Sequence, residues 1–115
     1  MKSMIPALVI GLACLSASVS SARADAARGK EIYTKVGCYQ CHGYDGQGGN
    51  TGPRLAPEPM ELDALKTFIR NASATAMPPY SANLVSDGDV ADIHAYLASV
   101  RKPPAGKDIP LLNNP

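Results

Sequence analysis

Three stretches of the chain carry apolar residues at the three- and four-residue spacing of an amphipathic helix. The clearest follows Ser86, a residue suited to cap a helix, and stops before Pro103-Pro104. Its apolar positions are Val90, Ile93, Leu97 and Val100. Residues 25–36 and 61–71 show the same spacing, and Asp25 is suited to cap the first of them. The pattern therefore predicts three principal helices.

The segments between these helices are rich in turn-forming residues. Residues 43–59 are dense in Gly, Pro, Asn and Asp, and residues 72–84 contain the pair Pro78-Pro79, which a regular helix excludes. No stretch has the strict alternation of a strand. We predict a small all-α fold of three to four helices, with Gly/Pro-rich loops and no significant sheet.

The N-terminus has the order of a secretory signal peptide. Lys2 precedes an apolar run over residues 5–15, and a Ser-rich stretch ends in Ala22-Arg23-Ala24. An uncleaved anchor and a lipid-anchored Cys14 are the alternatives to cleavage after Ala24. We expect residues 1–24 to be removed, residues 25–102 to form one domain, and residues 103–115 to be an extended tail whose Ile109, Leu111 and Leu112 lie against the body.

Composition sets a problem for this domain. Removing 24 of 115 residues leaves 91, with no Trp and one Phe against nine Pro and nine Gly. In a domain this short, burial of so few large apolar side chains barely offsets the conformational entropy lost on folding. A further stabilising element is therefore needed. Cleavage also leaves nine basic against ten acidic residues, which argues against a nucleic-acid partner.

The sequence Cys38-Tyr39-Gln40-Cys41-His42 is a haem-attachment motif. Two thiols separated by two residues can form thioethers with the vinyl groups of one porphyrin, and the following imidazole can bind its iron. A thioredoxin-like dithiol would need strands, and a plain disulfide would leave His42 without a role. A structural zinc site would need four ligands, and only His94 remains beyond Cys38, Cys41 and His42. A covalent haem c also supplies the missing apolar mass.

Several further segments, in the same order along the chain, extend this agreement beyond the motif. The mature chain resembles the class I monohaem c-type cytochromes over nearly all of its length. The resemblance rests on Gly29-Lys30-Glu31-Ile32-Tyr33, Cys38 to Gly43, Thr51-Gly52-Pro53-Arg54-Leu55, Ala76-Met77-Pro78-Pro79-Tyr80 and Asp92-Ile93-His94-Ala95-Tyr96-Leu97.

The resemblance implies a fold in which the helices wrap around one covalent haem. It implies that the first and last helices cross, with Gly29 facing Tyr96. It also implies that the carbonyl of Pro53 accepts a hydrogen bond from the ring N–H of His42, which orients the imidazole.

The sixth iron ligand has several candidates. Met77 lies in a loop stiffened by two prolines, at the place where the family carries its ligand. Met60, His94 and an open site are the alternatives. We predict cofactor-binding residues Cys38, Cys41, His42, Pro53 and Met77, with His42 and Met77 on the metal.

His/Met ligation fills both axial positions and favours electron exchange over bond chemistry. We therefore expect an electron-transfer protein rather than an enzyme, exported to the periplasm, soluble and without stable membrane insertion after cleavage. It would be a monomer or a small subunit of a complex. Its partners would be redox proteins, with a dehydrogenase as donor and an oxidase or another cytochrome as acceptor. A five-coordinate haem enzyme or gas sensor is the alternative.

Overall fold

The computed structural model describes residues 23–73 and 75–113, and it is helical. Its helices are α1 (Ala26–Lys35), α2 (Tyr39–His42), α3 (Leu62–Asn71) and α4 (Asp87–Ser99). No strand occurs in these ranges, so the all-α prediction is confirmed. The predicted signal peptide lies outside the described residues except for its last two positions. Within the described ranges, no helix is long and apolar enough to cross a membrane.

The two long helices that form the centre of the fold begin at the predicted caps. The side chain of Asp25 accepts hydrogen bonds from the backbone N–H groups of Ala27 and Arg28 at 2.9 and 3.1 Å. Ser86 and Asp89 form a reciprocal capping box at the start of α4. Each cap satisfies donors that the first helical turn leaves free, and this fixes where α1 and α4 begin.

The C-terminal part of the chain differs from the expectation. The helix α4 ends at Ser99, earlier than the predicted stop before Pro103-Pro104, because Val100 already has extended backbone angles. The tail is not extended throughout, since Gly106–Asp108 and Pro110–Leu112 form single 3-10 turns. Leu111 and Leu112 are 89% and 68% exposed, so the expectation that they lie against the body is wrong. Local turn formation by this Gly- and Pro-containing segment needs no contact with the domain.

The contact between α1 and α4 depends on Gly29. A Cβ added to Gly29 would lie 1.9 Å from the backbone oxygen of Asp92, so only glycine allows the two helices to approach this closely. Gly29 thus packs on the α4 backbone one helical turn before Tyr96, the residue that the resemblance places opposite it. The ring of Tyr96 meets Tyr33 edge-on, with centroids 5.6 Å apart.

Polar contacts fasten the same pair of helices at the start of α1. The backbone N–H of Asp25 donates to the buried carboxylate of Asp92 at 2.7 Å. The guanidinium of Arg28 binds both Asp92 and Asp89, so one side chain of α1 bridges two acids of α4.

The buried apolar core of the described chain is small. It consists of Tyr33, Ala56, Leu65, Ile69, Val85, Val90, Ile93, Tyr96 and Leu97. Most of these residues come from α1, α3 and α4, and seven of the nine also line a cavity. The core is therefore organised around an apolar space, as expected of a chain that lacks large apolar side chains.

Candidate functional site

The five predicted site residues meet at one cavity. Cys38, Cys41, His42, Pro53 and Met77 all line a space of about 250 Å³ that opens to one side of the molecule. The remainder of its wall is mainly aliphatic and aromatic side chains from α1, α3, α4 and the loops. Residues separated by almost forty positions along the chain thus face the same volume.

A single helical turn arranges the cysteines and the histidine. Backbone N–H groups of His42 and Gly43 donate to the carbonyls of Cys38 and Tyr39 at 3.1 and 2.9 Å, which forms α2. Cys38, Cys41 and His42 are therefore spaced at i, i+3 and i+4 and share one face of the turn. Gly43, at φ 79°, ends the turn in a conformation that favours glycine. The sequence pattern did not predict α2, because one turn is too short to show a period.

The imidazole of His42 is fixed in orientation by a backbone carbonyl. Its Nδ1 lies 2.8 Å from the oxygen of Pro53, and the ring is buried. Since this carbonyl can only accept, Nδ1 carries the proton and Nε2 keeps a free electron pair. The other ring nitrogen, Nε2, makes no hydrogen bond. Every fully buried side-chain nitrogen among the described residues has a hydrogen-bond partner, so Nε2 is not enclosed and is open to the cavity that His42 lines.

Gly52 lets the Pro53 segment approach the histidine. A Cβ at Gly52 would lie 2.8 Å from the carbonyl oxygen of Cys41 and 2.9 Å from Nδ1 of His42. The hydroxyl of Thr51 donates to the same Cys41 carbonyl at 3.3 Å. Residues 51–53 thus form a close support behind the imidazole.

Two buried tyrosines that the sequence analysis did not single out as site residues hold the motif against the core. The hydroxyl of Tyr33 donates to the carbonyl of Gly43 at 2.7 Å, and that of Tyr96 donates to the carbonyl of Tyr44 at 2.7 Å. These bonds join α1 and α4 to the residues that follow His42. Only the meeting of three distant segments creates them, so no local pattern could have revealed them.

Tyr33 also makes stability depend on pH. Burial raises its pKa above the ordinary value of 10.0, so the folded protein retains a phenolic proton that the unfolded chain loses above that pH. The stabilisation is therefore complete below about pH 10 and decreases as pH rises further. We expect Tyr33→Phe to lower the free energy of unfolding by about 1–3 kcal/mol at neutral pH, because it leaves the Gly43 carbonyl without its donor.

Chemical denaturation of both proteins at two pH values tests this expectation. The difference between wild type and Tyr33→Phe should shrink by about 1.4 kcal/mol for each pH unit above 10. Tyr80 and Tyr96, whose pKa values burial also raises, are present in both proteins and cancel in the comparison. A difference that stays constant with pH would contradict the assignment.

The candidate sixth ligands are not equivalent in the structure. Met77 and Met60 both line the cavity, whereas His94 does not, and its Nε2 lies 3.1 Å from the carbonyl of Met60. Met60 is 44% exposed, while Met77 is partly buried against the core. The structure therefore leaves two thioethers facing the cavity.

Two polar side chains from the loops, Arg54 and Tyr80, differ in their relation to the cavity. Arg54 is exposed and does not line the cavity. Tyr80 lines it, but its hydroxyl donates to the carbonyl of Val36 at 3.1 Å. The phenol of Tyr80 is thus engaged in holding the Met77 loop to the end of α1.

The two cysteines have different surroundings. Cys38 is partly buried and its pKa is raised to about 11, mainly by burial, whereas Cys41 is exposed. A thiol with a raised pKa is a poor attacking group, unlike the reactive cysteine of a dithiol oxidoreductase. Within the part of the chain that the structure describes, no cluster of three His, Cys, Asp or Glu side chains could hold a metal ion.

These features suit a flat, apolar, metal-bearing group. The wall is mainly hydrocarbon, the one buried imidazole directs a free electron pair into the space, and both cysteines of the motif line it. A haem needs this set: apolar walls, an oriented axial nitrogen and two thiols. The residues present therefore fit a covalently bound haem.

Comparison with known proteins agrees with this donor set. The family model described as cytochrome c oxidase, cbb3-type, subunit III matches residues 24–97, which is more than half of the 115-residue chain. The matched region covers α1 to α3, the two predicted axial residues and most of α4. No curated protein and no solved structure matches the chain.

Proposed function

The chain belongs to the c-type cytochrome family matched by this subunit III model, a family of haem-binding electron-transfer domains, and from that premise we propose a periplasmic carrier of single electrons. One haem c would be bound through Cys38 and Cys41, with His42 and Met77 as axial ligands. The observation that carries the proposal is the hydrogen bond between His42 Nδ1 and Pro53 O at 2.8 Å, in a cavity shared with both cysteines and Met77.

The bound haem supplies the one-electron change of its iron, and the protein supplies ligands and insulation. Pro53 holds the proton on Nδ1 of His42, so that Nε2 is free to bind and gains electron density from the hydrogen bond. The mainly apolar wall would surround the haem with few polar groups, and an apolar shell limits solvent access and tunes the reduction potential.

Met77 is favoured over Met60 because of how each is held. The backbone N–H of Met77 donates to the carbonyl of Ser73 at 2.8 Å, and the two following prolines restrict the chain. A restricted loop loses less entropy when a weak thioether is kept on iron. Met60, by contrast, is almost half exposed in an irregular segment.

Alanine substitutions of the two methionines test the axial assignment. We expect Met77→Ala to open the sixth position, so that the ferrous protein binds carbon monoxide and the reduction potential falls, because a thioether ligand raises it. The matched variant Met60→Ala should change neither property. Carbon monoxide binding by the unaltered protein would instead favour a five-coordinate enzyme or gas sensor, and an effect confined to Met60→Ala would reverse the assignment.

The partners proposed are redox proteins, with a dehydrogenase as donor and an oxidase or another cytochrome as acceptor. The family description names an oxidase subunit, which supports an oxidase among the acceptors. The mature protein would act either as a free carrier or as the cytochrome subunit of a periplasmic dehydrogenase. Size-exclusion chromatography of native periplasmic extract separates the two, since a carrier elutes as a monomer and a subunit elutes with its enzyme.

A further inference from the structure

Arg70 joins the segment that carries Met77 to two helices. Its Nη1 donates to the carbonyl of Tyr80 at 3.0 Å, and its Nη2 forms an ion pair with the carboxylate of Asp87 at 2.8 Å. Arg70 lies in the last turn of α3, and Asp87 is the first residue of α4. One guanidinium therefore ties together α3, α4 and the loop between them.

Tyr80 is the point at which this loop is fixed. Besides the bond from Arg70, its backbone N–H donates to the carbonyl of Ile69 at 2.8 Å, and its hydroxyl donates to the carbonyl of Val36 at 3.1 Å. All three polar groups of Tyr80 are thus engaged with α3 or with the end of α1. Only Pro78 and Pro79 separate Tyr80 from Met77.

The two prolines make this attachment effective at Met77. Each fixes its own φ angle, and Pro79 also restricts the backbone of Pro78, so the connection between Met77 and Tyr80 has little freedom. A displacement of Tyr80 is therefore passed to Met77 instead of being absorbed between them. Arg70 itself does not line the cavity, so it makes no direct contact with a ligand held there and can restrain Met77 only through the loop.

We propose that Arg70 is a positioning residue that holds the Met77 thioether on the iron by fixing Tyr80, and so limits access of external ligands to the sixth position. This inference rests on the proposed function, because it needs Met77 as the axial ligand. The positive charge of Arg70 strengthens its hydrogen bond to the Tyr80 carbonyl, since hydrogen bonds from a charged donor are stronger than those between neutral groups. The side chain of Arg70 is only 20% exposed, so solvent replaces it poorly.

The test is binding of imidazole to the oxidised holoprotein, followed by the visible absorption spectrum. We expect Arg70→Gln to increase the apparent affinity for imidazole about tenfold or more, the change that loss of one charge-assisted hydrogen bond brings to an equilibrium. Arg70→Lys should restore part of the effect, because it keeps the charge and one donor. Asp87→Asn should have a smaller effect, because the bond to Tyr80 remains.

A matched control separates positioning from general loss of stability. Arg28→Gln also removes an arginine that bridges α4 to another helix, but its partners are Asp89 and Asp92, away from the Met77 loop. It should leave imidazole affinity unchanged. Equal affinities for Arg70→Gln and Arg28→Gln would overturn the role of Arg70.

Met77→Ala, measured in the same series, distinguishes failure of the axial assignment from failure of the positioning proposal. If it binds imidazole far more tightly than the wild type while Arg70→Gln does not, Met77 is the ligand and the positioning proposal fails. If Met77→Ala and the wild type bind imidazole equally, the axial assignment itself fails, and the Arg70 proposal fails with it. Increased affinity in both variants, with no change in Arg28→Gln, supports both.

Discussion

Replacing Cys38 and Cys41 together by alanine is expected to yield a protein without covalently attached haem and with little stable structure. The cavity that these residues border has a volume of about 250 Å³. At about 24 cal/mol per Å³ of enclosed apolar space, leaving this partly open cavity unfilled costs up to about 6 kcal/mol. This equals a large part of the roughly 5–15 kcal/mol by which ordinary domains are stable.

The measurement is acid–organic extraction of the haem, combined with thermal unfolding followed by circular dichroism. The double variant should release any haem it holds on extraction, and it should show no cooperative thermal unfolding transition. Each single variant, Cys38→Ala or Cys41→Ala, should retain haem that resists extraction, since one thioether remains. Haem that stays bound to the double variant through extraction would contradict the assignment of the two sulfurs.

Gly29→Val is expected to be the most damaging substitution away from the haem cavity. Its first added carbon would lie 1.9 Å from the backbone oxygen of Asp92 and 2.9 Å from the backbone nitrogen of Ile93. Overpacking a core typically costs about 1–3 kcal/mol when side chains can move aside, and here the obstacle is helix backbone. We therefore expect a loss of more than about 3 kcal/mol in the free energy of unfolding.

Urea denaturation of the holoprotein measures this loss, and Gly88→Ala provides the control. A Cβ at Gly88 meets nothing closer than the hydroxyl of Ser86 at 3.7 Å. Alanine is the better helix former, so this variant should be stabilised by up to about 1 kcal/mol. A Gly29→Val protein as stable as the wild type would show that α1 and α4 do not pack as described.

The sequence predicted those parts of the fold that depend on short-range rules. The caps at Asp25 and Ser86 and the three long helices follow from residue preference and apolar spacing, which act within a few positions. The position of Tyr33 and Tyr96 behind the haem motif did not follow from such rules. Their hydroxyls reach carbonyls of the motif only because α1 and α4 cross, and a crossing depends on tertiary packing.

The functional site likewise contains residues that the sequence predicted and a residue that it did not. The motif itself named Cys38, Cys41 and His42, and the resemblance to a family added Pro53 and Met77. The role of Arg70 could not be predicted, because a surface arginine at the end of a helix usually interacts with the helix dipole and solvent. Its bond to the Tyr80 carbonyl appears only when the loop after α3 has folded back.

The central claim is that this chain binds one haem through both cysteines of the motif. Intact-mass and peptide mass spectrometry of the exported protein, purified from a host competent for haem attachment, tests it most directly. We predict a coloured protein heavier than its polypeptide by one haem, with the added mass on the peptide containing Cys38 and Cys41. A colourless protein of unmodified mass, with both thiols free to react, would contradict the account.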